Sequence, residues 1–133
     1  MLAARSVVHA TRGKTPSGTH MGKVMEQLDI ADAMAKKVIL KPALDGGVQL
    51  VAAGQIEIGI YPASEVAGVK GLTIVGPLPP GINLEIVYGA AATTDSAAPN
   101  AASAFVKFMA ASENRSVWKE AGFAPTAHLN SNL

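Results

Sequence analysis

Short apolar runs alternate with helix-period segments along the first half of this chain, and that alternation limits its fold more than any other feature. Ser6 to Ala10 (SVVHA) reads as a strand, followed by the polar, turn-forming loop Thr11 to Ser17. Met21, Val24, Met25 and Leu28 then recur at i, i+3, i+4 and i+7, which predicts a helix with one apolar face, capped by Ser17 or Thr15. Asp29 to Asp32 end or interrupt it. Val38 to Leu40 before Pro42 is a second strand, and Asp45-Gly46-Gly47 opens a short helix that stops at Gly54. Ile56 to Tyr61 alternates as a strand, a helical turn covers Pro62 to Val66, and Leu72 to Val75 and Leu84 to Ala92 are the remaining strand candidates. Between those two, Gly76 to Gly81 carries three prolines and bars a helix. Strands and helices at this spacing form βαβ units, so an α/β fold with a mostly parallel sheet is predicted.

The last quarter differs. Two helices are expected, about 101–111 and 113–121, with Ser112 as the second N-cap and Gly122 just past its end. Four of the six aromatics, Phe105, Phe108, Trp118 and Phe123, fall here, whereas residues 1–60 contain none. This hairpin therefore reads as built to pack on something large.

Composition narrows the function classes. The length of 133 residues is that of one domain, and charged residues make up 16%, against about 25% in an average globular chain. Apolar residues reach 49%, mostly small, with 24 Ala, so disorder is excluded. Eleven Lys and Arg against ten Asp and Glu leave no basic block, and nucleic-acid binding has no electrostatic footprint. No apolar run is long enough to span a bilayer, and the first five residues do not have the pattern of a signal peptide. Without Cys there is no thiolate chemistry and no Cys-bound metal. His9, His20 and His128 have no metal-ligand spacing, and no cofactor motif is present: both the GxxxxGK[ST] and GxGxxG spacings are absent.

Three places have the chemistry to hold a ligand. At Thr15-Pro16-Ser17-Gly18-Thr19, small residues let a ligand approach free backbone N–H groups at the positive end of a helix, with hydroxyls as further donors. Such an opening favours an anion; the alternative is a cap and a turn with no ligand. Leu44-Asp45-Gly46-Gly47 is a second opening, with Asp45 as a structural N-cap in the competing reading. Tyr61 ends a strand ahead of Pro62, at the edge where open α/β sheets place ligands, or else its hydroxyl merely finds a partner in the fold. Ser17 and His20 are three apart and could meet as a nucleophile and base, but no Gly-x-Ser-x-Gly elbow surrounds the serine and no acid orients the histidine. Glu26, Asp29 and Asp32 read as a solvated helix face. No catalytic residue is assigned.

The order of the motifs resembles a known family. Leu2 to Val8, the Thr-Pro-Ser-Gly helix start, Leu50 to Ile60 (LVAAGQIEIGI), Ile74 to Pro79 (IVGPLP) and Ala101 to Met109 followed by Ala121-Gly122-Phe123 are similar to the second half of molybdate-type extracellular solute-binding proteins of ABC importers. The resemblance covers residues 1–125. It implies a periplasmic binding protein type II-like lobe over 1–92, a helical hairpin over 93–125 that packs on a second lobe or partner chain, and a tail at 126–133. It also implies a periplasmic location and a membrane permease as partner, although no export signal is visible and a cytoplasmic location remains compatible. Carried over by position, Ser17 and Leu44 to Gly47 contact an anion through backbone amides. Pro62 stands where many molybdate binders present a tyrosine, and Tyr61 lies one residue earlier, so molybdate specificity is not implied. The expected function is capture of a small oxyanion-like solute. The alternative is a dimeric interaction or effector-sensing module on the same scaffold. Because the family's first lobe has no counterpart here, self-association through the 101–123 hairpin is expected.

Overall fold

A computed structural model of the chain describes residues 1–42 and 46–124. It divides into two units, Met1–Ile86 and Val87–Leu133. The predicted type II-like α/β lobe is realised in the first as a small parallel sheet flanked by helices. Strand β1 (Val7–Ala10) leads to α1 (Pro16–Gln27), α2 (Ala31–Ala35) and β2 (Val38–Lys41), and then to α3 (Gly47–Ala52), β3 (Ile58–Ile60) and α4 (Ala63–Val66). The sheet order is β2-β1-β3, with Val7 opposite Val38 and Ile58 and both pairings parallel. Strand β1 is thus central and buried on both faces along its whole length, His9 included.

The chain leaves β1 in one direction to form β2 and returns past it to form β3. Right-handed crossovers in opposite directions put their helices on opposite faces of the sheet. Accordingly, Val7 packs with Met21, Val24, Met25 and Met34 of α1 and α2, while the Val8 side chain meets the start of α3 at Gly47. The α1 periodicity is as predicted except at its end: Leu28 is the C-cap and is exposed. Leu78 and Ile82, in the proline-rich segment, pack back on the α1 core, and His20 Nε2 lies 2.7 Å from the Ile82 carbonyl.

Several expectations change. Strand β3 is three residues rather than Ile56 to Tyr61. Leu72 to Val75 and Leu84 to Ala92 are not strands. Among the described residues neither joins a sheet, and Val75 is 100% exposed, so their apolar composition finds no ladder partner. The cap of α3 is Gly46, with φ +74°, and not Asp45; Leu44 and Asp45 lie outside the described residues, as do His128 and the 126–133 tail.

In the second unit, α5 (Pro99–Ala110) is followed by a 3₁₀ turn (Ser112–Asn114) and α6 (Arg115–Glu120). Ser112 does not cap α6: Asn114 precedes the helix, and the Ser112 hydroxyl donates to Glu113 instead. Gly122 closes α6 as predicted. Its φ is +83°, its N–H donates to Lys119, and the Phe123 N–H donates to Trp118 at 2.9 Å. Those paired bonds form a Schellman cap, and the Trp118 and Phe123 rings meet edge to face at 5.4 Å, supplying the hydrophobic contact that accompanies it. Trp118 Nε1 also donates to the Met109 carbonyl at 2.8 Å, tying α6 to the end of α5.

Candidate functional site

Both helix openings singled out in the sequence converge on β1. Gly18, in the first turn of α1, lies so close to the ends of Ala10 and Thr11 that a Cβ there would collide with both carbonyl oxygens. Gly47, first residue of α3, lies on the other side against Val8, where a Cβ would collide with the Tyr61 hydroxyl. The glycines are therefore required for close approach, and they bring the two openings to the carboxyl end of the sheet. In a β2-β1-β3 order the connections diverge between β1 and β3, and such switch points are where open α/β sheets hold ligands.

Thr15 caps α1, its hydroxyl accepting from the Gly18 N–H at 3.0 Å, with Ser17 Oγ 3.2 Å from the same oxygen. Thr19 Oγ1 accepts from the Gly13 N–H at 3.1 Å and fixes the loop against the helix. Pro16 has no N–H, and Gly18 already donates to the cap, so in this first turn the Ser17 amide is the one that helix geometry leaves without an intrahelical acceptor. Ser17 and His20 do not form a nucleophile–base pair: the serine hydroxyl faces Thr15, and the histidine Nε2 bonds the Ile82 carbonyl.

Beside this opening runs a cleft of about 370 Å³ lined by Gly13, Lys14, Thr15, Pro16, Thr19, His20, Lys23 and Leu84. It is large enough for a small solute but lies at the lower end of ligand-site volumes. Arg12 does not contribute charge there, because its guanidinium crosses Gly22 to pair with Glu26. Lys14 and Lys23 do contribute. Sequence reasoning missed both lysines, although Pro16, Thr19, His20 and Lys23 at i, i+3, i+4 and i+7 mark a polar α1 face opposite the apolar one.

Tyr61, Gly46 and Gly47 belong to the α3 side and do not line this cleft. Gly59 lacks a Cβ where Val51 and the Tyr61 ring approach, which lets the ring lie back over α3 toward Gly47. Pro62 starts the turn into α4. The Tyr61 hydroxyl is buried and, among the described residues, has no hydrogen-bond partner; the same is true of Glu65 Oε2. Burial pushes the Tyr61 hydroxyl above its ordinary pKa, with the Glu65 charge adding to the effect. Burial likewise raises the Glu65 carboxyl. Glu65 was not anticipated as a site residue, since one carboxylate in a four-residue helix carries no motif. No group of three or more metal-ligating side chains occurs among the described residues.

Residues 2–124 match the family described as bacterial extracellular solute-binding protein. A curated relative, an aconitate isomerase from Pseudomonas sp, is 25% identical over 123 residues, which cover 92% of this chain and 45% of that protein. The chain thus spans somewhat less than half the length of the relative it matches. No solved structure matches it. Since the family match runs over nearly the whole described chain, this protein belongs to the bacterial extracellular solute-binding proteins.

Proposed function

We infer that this chain captures a small anionic solute at the carboxyl end of its sheet, as one lobe of a transport-type binding protein, and that its role is binding rather than catalysis. The observation that carries the reading is the convergence of the α1 and α3 openings on β1, with the Ser17 amide left without an intrahelical acceptor in the first turn of α1 and Lys14 and Lys23 along the adjoining cleft. Thr15, Ser17, Gly18 and Thr19 supply the first opening, Leu44 to Gly47 the second, and Tyr61 and Pro62 the neighbouring strand end. An importer permease is the partner that the family membership suggests, which makes the periplasm the working compartment.

Membership alone does not select an oxyanion or molybdate. Titration of the intact chain with phosphate, sulfate, molybdate and tungstate, followed by thermal shift and by amide chemical shifts, tests the reading. A response centred on residues 13–19 and 46–47 is expected; a folded sample that responds to none of these anions at millimolar concentration overturns it. One lobe leaves much of a ligand in water, so weak binding is expected unless a second chain closes over it. We infer such self-association from the exposed Phe105, Phe108 and Val117 of the second unit.

A second reading follows from the relative's name. An isomerase acting on aconitate would move a proton, and Tyr61 and Glu65, half-buried with the hydroxyl and one carboxylate oxygen out of solvent, are titratable groups that follow β3. Incubation with aconitate and chromatographic separation of its isomers decides between the two readings. No turnover is expected, and turnover abolished by Tyr61→Phe in a folded variant would favour the enzyme.

A further inference from the structure

The proline-rich segment has no place in the sheet, yet it is tied to the cleft. The Ile82 N–H donates to the Pro79 carbonyl at 3.2 Å, with Pro80 and Gly81 at the corner and Gly81 at φ +89°, the pattern of a type II turn. On either side of that turn, Leu78 and Ile82 pack on the core cluster that holds Met21, Val24 and Met25. A further tie is polar. His20 Nε2 lies 2.7 Å from the Ile82 carbonyl, and because a carbonyl only accepts, Nε2 carries the hydrogen of this bond. Two residues after Ile82, Leu84 lines the cleft together with Lys14, Pro16, His20 and Lys23. Strap, helix and cleft all belong to the Met1–Ile86 unit.

The cleft thus joins two unlike surfaces. Lys14, Lys23 and the α1 opening favour negative charge, while Leu84 and the Pro16 ring offer hydrocarbon. Leu84 is 36% exposed, which leaves apolar surface for a ligand to cover. A bare oxyanion needs hydrogen bonds or water on every side and gains nothing against that surface. It also leaves most of the space empty. A volume of about 370 Å³ holds roughly a dozen water-sized groups at about 30 Å³ each, whereas a tetrahedral oxyanion amounts to about five.

We propose that His20 is a positioning residue that holds the 78–84 strap beside α1, making Leu84 the apolar wall of the anion cleft, and that the cleft selects organic carboxylates with a hydrocarbon body over inorganic oxyanions. The inference rests on the anion-binding reading above and names the ligand class for the same site. The carboxylate lies at the α1 opening near Lys14 and Lys23, and the hydrocarbon covers Leu84 and the Pro16 ring.

The test titrates the full chain with acetate, butanoate and hexanoate, alongside phosphate and the uncharged hexanamide, at constant ionic strength. A fully buried methylene is worth about fourfold in affinity, and in this open cleft about twofold is expected for each one added, so hexanoate should exceed acetate by about tenfold and should also exceed phosphate. Leu84→Ser should flatten the series. His20→Ala should lower its slope by freeing the strap, and His20→Gln, which keeps an N–H for the Ile82 carbonyl, should restore most of it. A wild-type series without slope, phosphate bound more tightly than hexanoate, or a slope unchanged in folded Leu84→Ser would overturn the proposal while leaving anion binding intact. If no anion binds, or if hexanamide binds as tightly as hexanoate, the anion reading falls and this inference with it. The wild-type series decides the ligand class even if a variant does not fold.

Discussion

At the residue scale, His9 is the least expected member of the core. It alternates with Val8 and Ala10 on the central strand, is buried, and places Nδ1 2.8 Å from the Ala10 carbonyl. Burial holds its pKa below the ordinary histidine value, outweighing the opposing effect of that hydrogen bond. The folded state therefore binds this proton less readily than the unfolded chain, and stability is lost as pH falls below the unfolded value of about 6.5. Urea unfolding of wild type should give a free energy that declines on acidification through this range, and His9→Leu should flatten that part of the profile. A second prediction concerns Gly47. Adding a methyl group there drives it into the Tyr61 hydroxyl, so Gly47→Ala should cost about 1–3 kcal/mol. Tyr61→Phe in the same chain should restore part of the loss, because it removes the atom in the way. Additive losses in the double variant would refute that direct contact.

At the scale of elements, α1 was the most legible part of the sequence and the strands the least. Met21, Val24 and Met25 are buried as their spacing requires, because a helix closes its own hydrogen bonds and needs only one apolar face covered. Leu72 to Val75 has the same local credentials as β2 but is unpaired among the described residues, since a strand exists only where another chain segment offers its edge. Caps were half legible for a similar reason. Thr15 and Ser17 both have the right chemistry, and only the backbone decided that Thr15, with φ −140° and ψ 157°, lies outside the helix where a cap must. Thr15→Ala should destabilise the first unit by about 1 kcal/mol, and Thr15→Ser should recover most of it, as measured by chemical denaturation. Because the cap also holds the Gly18 amide and faces Ser17, the alanine variant should lose anion affinity beyond its stability loss.

At the scale of the whole molecule, the balance of buried and exposed apolar groups is unusual. The first unit buries a compact set around Val7, Val24 and Met34, while its Ile74 and Val75 remain exposed, as do Val87, Phe105, Phe108 and Val117 of the second unit. Apolar surface of this kind favours association. Sedimentation of wild type at micromolar concentration should give a species larger than a monomer, and Phe105→Ser with Phe108→Ser should shift it toward monomer without unfolding the first unit. A clean wild-type monomer would count against assembly through this hairpin.

The sequence by itself determined the α/β class, the apolar face of α1 and the stop of α6 at Gly122, because each depends on local spacing and on residue types with few conformational uses. Only the tertiary structure decided which distant segments meet. Gly18 and Gly47 approach β1 from opposite faces, and the cleft follows the polar side of α1. Such encounters arise from sheet order and crossover direction, which bring together residues far apart in the chain, and no local pattern encodes them.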